Sequence, residues 1–536
     1  MIASRMTLPI ALIALLLAGC GEDRDVSIDI TQSGDADSDI DGDADVDIDS
    51  PETPHESLAH EDMAPLCWFS RFVAWGFVSV RDVIALDDNS SLITGYYSGL
   101  ATFGFDEEIT EELVPTPGWN DEGFLARIDE DGAVVWAKKV GATSENTFGA
   151  PLDVLAATPD GGFVGAGFFV GIATLGAGEE NETILDSSDG SLLLARYDSN
   201  GELVWARNDG EQMNTWASAV ALLSDGSIIV AGGIDGETTF GLGGTSETTI
   251  PDLNEGSYRP FLARYTSNGD LMWARGQGGK DIGRAIGIGA DDTVAVGGYY
   301  LDDQYCILGE GDPTETTLPE PGGIFLAAFD PNEGDLEWAR AATNNDDFLA
   351  HSTTAMEDGS WVMSGQYVTD ALFDDDTNPV HLIAGAGESE DEGYLARYSQ
   401  DGDLQWAVST SSPYGSVRGP LEATALSDGD LLLTGAVQGT ATFGEGSPDP
   451  VTLPNSSNEA AFAAVYDADG ELEWALKFLV GMGPGSMTMA TAPLDDGSFM
   501  VAGSYEFHAQ YLVDGYIEIS ASRGLRDGFL ARVCPQ

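Results

Sequence analysis

The chain has 536 residues, and 91 acids against 21 Lys and Arg give it a formal charge of −70. A chain this negative repels a phosphate backbone, which excludes nucleic acid as a partner. Its 43% of apolar residues excludes a wholly disordered chain, and 67 glycines point to many tight turns.

Residues 1 to 20, MIASRMTLPIALIALLLAGC, carry Arg5, an apolar stretch from Leu8 to Leu17 and then small residues. The pattern predicts a secretory signal over 1–19, too short to be read as a spanning helix. Leu17-Ala18-Gly19-Cys20 resembles a bacterial lipobox. The resemblance implies cleavage before Cys20, diacylation of Cys20 and stable membrane anchoring. Gly21, Glu22 and Asp23 follow, which by resemblance to envelope lipoproteins suits sorting to the outer membrane, facing either the periplasm or the surface.

Between Gly21 and Asp62 lie 16 acids and one Arg. Such a segment cannot bury enough apolar surface to offset chain entropy, and it repels itself. Residues 20–62 therefore read as an acidic disordered tether with a coil average near ~35 Å. Asp37-Ser38-Asp39-Ile40-Asp41-Gly42 begins like a calcium loop, but Ile48 stands where a bidentate Glu is needed. It reads as solvated linker.

From there one pattern recurs. Trp68, Trp136, Trp205, Trp273, Trp338, Trp406 and Trp474 are spaced by 68, 69, 68, 65, 68 and 68 residues. Around each except the first lies a hairpin such as LLARYDSNGELVWARN from Leu193, and ahead of it a second such as AVALLSDGSIIVAGGI. Alternating segments joined by DG or NG turns are antiparallel β-hairpins. In Ile228-Ile229-Val230-Ala231 both faces are apolar, as in a strand sandwiched between sheets, whereas the Trp strand alternates and belongs at an outer edge.

Seven copies of two hairpins predict an all-β fold, a seven-bladed β-propeller of four-stranded antiparallel blades over residues 63–536. The chain ends three strands into its last copy, and Cys67-Trp68-Phe69 supplies the missing strand, so an N-terminal strand pairing with the C-terminal blade closes the ring. Residues 61 to 536 number 476, seven times 68. Cys67 and Cys534 lie on the strands this closure pairs, and an exported protein meets an oxidising compartment, so a Cys67–Cys534 disulfide is expected, with two buried thiols as the alternative. Cys306 has no partner and reads as a small buried hydrophobe.

The phrases FLARYTSNGDLMWARG and SDGSIIVAGGI, with ATFG in two copies, resemble the SBBP-type β-propeller repeats of bacterial secreted and surface proteins. ARYDSNGELVW is more distantly similar to quinoprotein-like propeller repeats, including those of the outer-membrane assembly lipoprotein. The resemblance covers about residues 64 to 536 and implies architecture; these families share a scaffold and not one activity. The catalytic residues of quinone-dependent dehydrogenases have no match, and their eight blades disagree with a count of seven.

The search for chemistry returns little. His351, His381 and His508 are isolated, without metal-ligand spacing, and read as loop or strand-edge residues. No nucleophile elbow or P-loop occurs. The DG turns, for example Asp467-Ala468-Asp469-Gly470, read as turn geometry rather than calcium cages. Arg127, Arg196, Arg264, Arg397 and Arg532 recur in the third strand, and Lys138, Arg207, Arg275 and Arg340 follow Trp by two, which reads as structural packing and pairing. Variation concentrates between second and third strands, longest from Glu506 to Asp527, and after each Trp strand. Those loops are the expected binding surface.

Beyond signal and tether stand 75 acids and 19 bases. The diffuse excess favours adaptation to a salty habitat over capture of a cationic partner. The sequence thus predicts a monomeric, noncatalytic binding or scaffold module, anchored through its N-terminal lipid, without cofactor or metal, that recognises an unknown protein or glycan. The alternative is a polysaccharide hydrolase or lyase with carboxylates at the central mouth, which a cluster breaking the sevenfold pattern in a deep pocket would favour.

Overall fold

The computed structural model describes residues 63–534 apart from 105–109, 116–120, 143–147, 211–213, 253–257, 278–280, 301–305, 345–347, 374–378, 385–390, 412–415, 446, 483–486 and 514–515. Cys20, the signal and the tether lie outside the described residues. Among the described residues every element is a β-strand, and none is a helix able to cross a membrane. The fold is all-β and propeller-like.

The hairpins form where the turn residues place them. Phe148–Ala157, Phe163–Leu175, Thr183–Tyr197 and Leu203–Asp209 pair antiparallel in that order, from inner to outer strand. The same order recurs from the inner strands Phe77–Ala85, Thr215–Leu222, Asp281–Ile288, Phe348–Ala355 and Ser416–Ala425. Met487–Pro493, Phe499–Tyr505 and Asp527–Val533 make up the last unit, and its outer strand is Pro65–Ala74, paired with Asp527–Val533 from Leu66↔Val533 to Phe72↔Gly528. The second strands are the core: Ile228, Ile229, Val230 and Ala231 are all fully buried. The Trp strands lie further out, and in Leu203–Asp209 only Leu203 is buried.

Six units grip the next through an outer-strand indole. Trp338 lies over the turn glycine of the following unit so closely that a methyl group on Gly402 would meet the ring at 2.6 Å. The pairs Trp68–Gly132, Trp136–Gly201, Trp205–Gly269, Trp273–Gly334 and Trp406–Gly470 repeat this contact. These glycines also hold positive φ, +83° at Gly402, so the hairpin turn and the indole seat make the same demand. The indole N–H then donates to a carbonyl of that turn, as from Trp406 to Ala468 at 3.1 Å and from Trp68 to Glu130 at 2.9 Å.

The recurring arginines fasten the same joint, which is the structural use expected of them. Arg397 donates to Ser360 and Asp358 of its own unit and, at 2.6 Å, to the Ala468 carbonyl that also receives the Trp406 indole. Arg532 repeats the arrangement with Ser498, Asp496 and the Glu130 carbonyl. The turn carboxylates are taken up locally: Asp467 accepts the backbone N–H of Asp469 and Glu471, both at 2.9 Å.

The variable segments between second and third strands depart from the expectation that they are simply recognition loops. Their stems latch onto the outer strand of the preceding unit, as Ala371–Phe373 pairs with Leu336–Thr343 and Ala101–Phe103 with Pro65–Ala74. The longest forms the hairpin Phe507–Val513 and Tyr516–Ala521, which bridges Leu472–Met482 on one side and Pro65–Ala74 on the other.

Cys67 and Cys534 are joined, with Cα atoms 5.2 Å apart. Aligning Arg532-Val533-Cys534 with Arg196-Tyr197-Asp198, and Leu66-Cys67-Trp68 with Leu203-Val204-Trp205, places this bond where other units have their turn. Trp474, which in the repeat would cover that turn, packs instead on the cluster holding Leu66 and Val533. Cys306 is buried and not disulfide-bonded. Because the disulfide closes a loop of 467 residues, Cys67→Ser/Cys534→Ser should lower the unfolding free energy by up to about 6 kcal/mol, the chain-entropy value for a loop of that length. Denaturant melts with and without reductant measure this, and the double variant should be insensitive to reductant.

Candidate functional site

A cavity of about 600 Å³ is lined by all the inner strands at once. What faces it follows from one backbone irregularity that each inner strand repeats. The pairing register shifts between Val80 and Asp82, Leu152 and Val154, Ala217 and Ala219, Gly283 and Ala285, Ala350 and Ser352, Arg418 and Glu422, and Thr488 and Ala490. Such bulges re-aim a side chain and bend the strand. The partner strand carries glycine beside the bulge because the inner-strand carbonyl occupies the space of a Cβ: Leu349 O at Gly365 and Trp216 O at Gly232.

Two sets of equivalent positions result. The residues set out of register are Arg81, Asp153, Ser218, Arg284, His351 and Met489, with 419–421 in the sixth unit. The residues that follow are Asp82, Val154, Ala219, Ala285, Ser352, Glu422 and Ala490. Asp82 and Glu422 therefore occupy seats that other units give to Val, Ala or Ser. This is where the sevenfold pattern breaks.

Burial pushes Asp82 up to about 7, against the pull of its bonds from the Leu155 and Val83 N–H groups and with a further push from Asp153. Burial likewise raises Glu422 to about 8, and the Asp82 charge adds to it. One Glu422 oxygen, Oε2, is buried without a hydrogen-bond partner. Asp153 is pushed up to about 6 by burial, with Arg81 opposing. Near neutral pH the cavity thus carries protons on carboxyls that would be ionised in water.

The basic groups are held differently. Arg81 donates to the Tyr96 hydroxyl at 2.6 Å and lies 4.7 Å from the centre of that ring, while its Nε is buried without a partner. Arg284 lies over the Tyr299 ring at 5.4 Å and is open to the cavity. Among the described residues neither guanidinium has a carboxylate within ion-pair distance, although the repeat arginines Arg127, Arg196, Arg264, Arg397 and Arg532 are paired. His351 corrects the expectation of a bland strand-edge residue. Its Nδ1 accepts the Leu421 N–H at 3.0 Å, which leaves the proton on Nε2, and burial followed by the Arg284 charge lowers it to about 3. His381 is exposed in the hairpin strand Val380–Leu382 and His508 sits in Phe507–Val513, both away from this cavity.

A second cavity of about 440 Å³ lies at the joint around Asp209 and Tyr265. Its groups serve one another: Asp209 accepts the Gly241 N–H at 2.7 Å and the Tyr265 hydroxyl at 3.0 Å. No group of three metal-ligating side chains occurs among the described residues.

No family model matches the chain. Over 117 residues, 22% of this chain, it is 33% identical to the regulatory protein FlaEY of Caulobacter vibrioides, covering 12% of that protein. Over 389 residues, 62% of this chain, it is 22% identical to a WD repeat-containing protein of Acanthamoeba polyphaga mimivirus, covering 27% of it. The chain thus spans well under a third of either relative. Among solved structures it is similar to the RRP9 WD40 repeats at a TM-score of 0.28 and 10% identity, over 69% of this chain and 91% of that one. It is also similar to the polysaccharide lyase Uly1, at a TM-score of 0.34 and 11% identity over 72% and 91%.

The carboxyl chemistry fixes a stability dependence. Asp82 and Glu422 hold protons in the folded chain at pH values where the unfolded chain has released them, so they weaken the fold as pH rises from about 4.5 through 8. Glu422→Gln should leave the melting temperature unchanged at pH 5 and stabilise the protein at pH 9 by on the order of 1 to 3 kcal/mol. Thermal melts at the two pH values check it.

Proposed function

We propose that this chain is a lipid-anchored binding module of a bacterial envelope: a closed, seven-bladed propeller without catalytic activity that takes a small ligand into its central tunnel. The antiparallel pairing of Pro65–Ala74 with Asp527–Val533 and the Cys67–Cys534 bond support the closed ring. Leu17-Ala18-Gly19-Cys20 supports the anchor, and the acidic segment up to Asp62 supports a domain held off its membrane as a monomer. The resemblance to SBBP-type repeats fits the same setting.

The observation that carries the ligand-binding reading is the asymmetry of the tunnel. Turn glycines and indoles pair at six joints and arginine recurs in five third strands, with Ala328 and Val465 in the other two, whereas the bulge positions hold Arg, Asp, Ser, Arg and His in the first five units. Apolar or small residues fill equivalent seats without cost, so burying Asp82 and Glu422 lowers stability with no structural return. Pockets of this volume, with a few convergent polar groups, are the usual form of a small-molecule site.

A second reading, a polysaccharide hydrolase or lyase, is favoured by the same raised carboxyls, since a proton held near neutral pH suits a general acid. The two readings separate in one assay: purified protein incubated with acidic and neutral polysaccharides should release no reducing or unsaturated ends, and release abolished by Glu422→Gln would establish the enzyme instead.

The binding reading is tested with Ala219→Phe, which narrows the tunnel by one ring. Native mass spectrometry of protein isolated from envelope extract should show a noncovalent small-molecule adduct on the wild type and none on the variant at equal melting temperature. Equal adducts on both would sink the tunnel site. For the anchor, Cys20→Ala should abolish palmitate incorporation and release the protein from the membrane fraction.

A further inference from the structure

We propose that the tunnel is an oxyanion site, in which Arg81 and Arg284 hold the carboxylate or phosphate of a small ligand and the neutral imidazole of His351 supplies a further donor. This rests on the reading of the tunnel as a ligand site and names the chemistry it selects.

The argument begins with charge. In a domain with 75 acids and 19 bases, an arginine meets carboxylates by composition alone. The repeat arginines do: Arg127, Arg264, Arg397 and Arg532 each pair with an aspartate at 2.6 to 2.8 Å. Arg81 and Arg284 do not. Each is instead placed by a tyrosine of the adjacent strand, Tyr96 or Tyr299, one residue past the glycine that admits the bulge. Repetition of this Arg–Tyr arrangement in the first and fourth units gives two guanidiniums fixed by aromatic faces, with donors left for an incoming oxyanion. The buried, unpartnered Nε of Arg81 is the donor that such a group would satisfy.

The carboxyls nearest these arginines do not cancel them. Around the tunnel, Phe77–Ala85 brings Arg81 and Asp82, Phe148–Ala157 brings Asp153, Asp281–Ile288 brings Arg284, Phe348–Ala355 brings His351 and Ser416–Ala425 brings Glu422. Thr215–Leu222 and Met487–Pro493 contain no titratable residue. Below pH 6 the three carboxyls are protonated, His351 is neutral and two positive charges remain. As pH rises through 6 to 8 the carboxyls ionise against the same guanidiniums, so anion affinity falls. An acidic shell surrounds a tunnel that is cationic at mildly acidic pH.

The test uses four probes of one ring size and different charge: glucuronate, glucose 6-phosphate, glucose and glucosamine, titrated calorimetrically into the mature domain with its tether. One or both anions should bind at pH 5.5, and Arg284→Gln or Arg81→Gln should weaken them about tenfold or more. Affinity should fall at least severalfold at pH 8.5 in the wild type, and less in Asp82→Asn/Glu422→Gln. The stronger anion identifies a carboxylate or a phosphate ligand. Glucose or glucosamine binding as tightly as the anions, and lost in Ala219→Phe, would overturn the anion assignment while leaving the tunnel site standing. Anion binding that survives both Arg variants, or no anion binding, would overturn it as well.

Discussion

The contact between an indole and the turn glycine of the next unit is the constraint on which the molecule depends. An outer strand has one exposed face and one unpaired edge, and alone it would be a site of fraying and aggregation. Seating Trp on the neighbour converts that face into an interface, and the carbonyl shared by indole and arginine fixes the angle at which units meet. Because the turn needs positive φ and the ring needs the missing Cβ, a single glycine such as Gly402 serves local and tertiary structure together. This agreement between levels is what lets a long chain of small units fold to one arrangement.

The same constraint explains the chain ends. The unit of Asp527–Val533 takes its outer strand from Pro65–Ala74 rather than through a hairpin turn, and Trp474 packs there on the cluster of Leu66 and Val533 instead of on a turn glycine. The Cys67–Cys534 bond restores a covalent link at that position, and the hairpin Phe507–Val513 and Tyr516–Ala521 ties the adjoining outer strands from outside. Pro65–Ala74 and Asp527–Val533 are thus held together by sheet pairing, a covalent bond and a clasp. Each sits where the repeat itself is interrupted.

Scaffold and site are separated by depth. Outer positions repeat, and their polar groups are satisfied by backbone partners; inner-strand bulges vary, and their polar groups are not all satisfied. Glu422 Oε2 and Arg81 Nε remain without partners, whereas turn carboxylates such as Asp129, Asp198 and Asp467 each collect two backbone N–H groups. Unmet hydrogen-bonding capacity is costly in a dry interior. At the inner-strand cavity it falls on Arg81 and on Glu422, which takes a seat that most other units give to Val, Ala or Ser.

Hairpins, strand order, the exposed Trp strand and the Cys67–Cys534 pairing were legible in the sequence because each depends on local alternation, turn residues or the count of repeats. The latching role of the variable segments was not, since pairing between units leaves no local signal. Nor was the tunnel: Asp82, Glu422 and Asp153 are three among 91 acids, and His351 looked isolated because its neighbours Arg284 and Leu421 are about 70 residues away. One signal was available. Aligning the inner strands by the glycine of their partner strands places Asp82 and Glu422 in register with Val154, Ala219 and Ala490. The sequence by itself determined the repeating unit, whose forces act over a few residues. Which side chains converge, lose their water and change their protonation was decided only when seven distant strands were brought around one cavity.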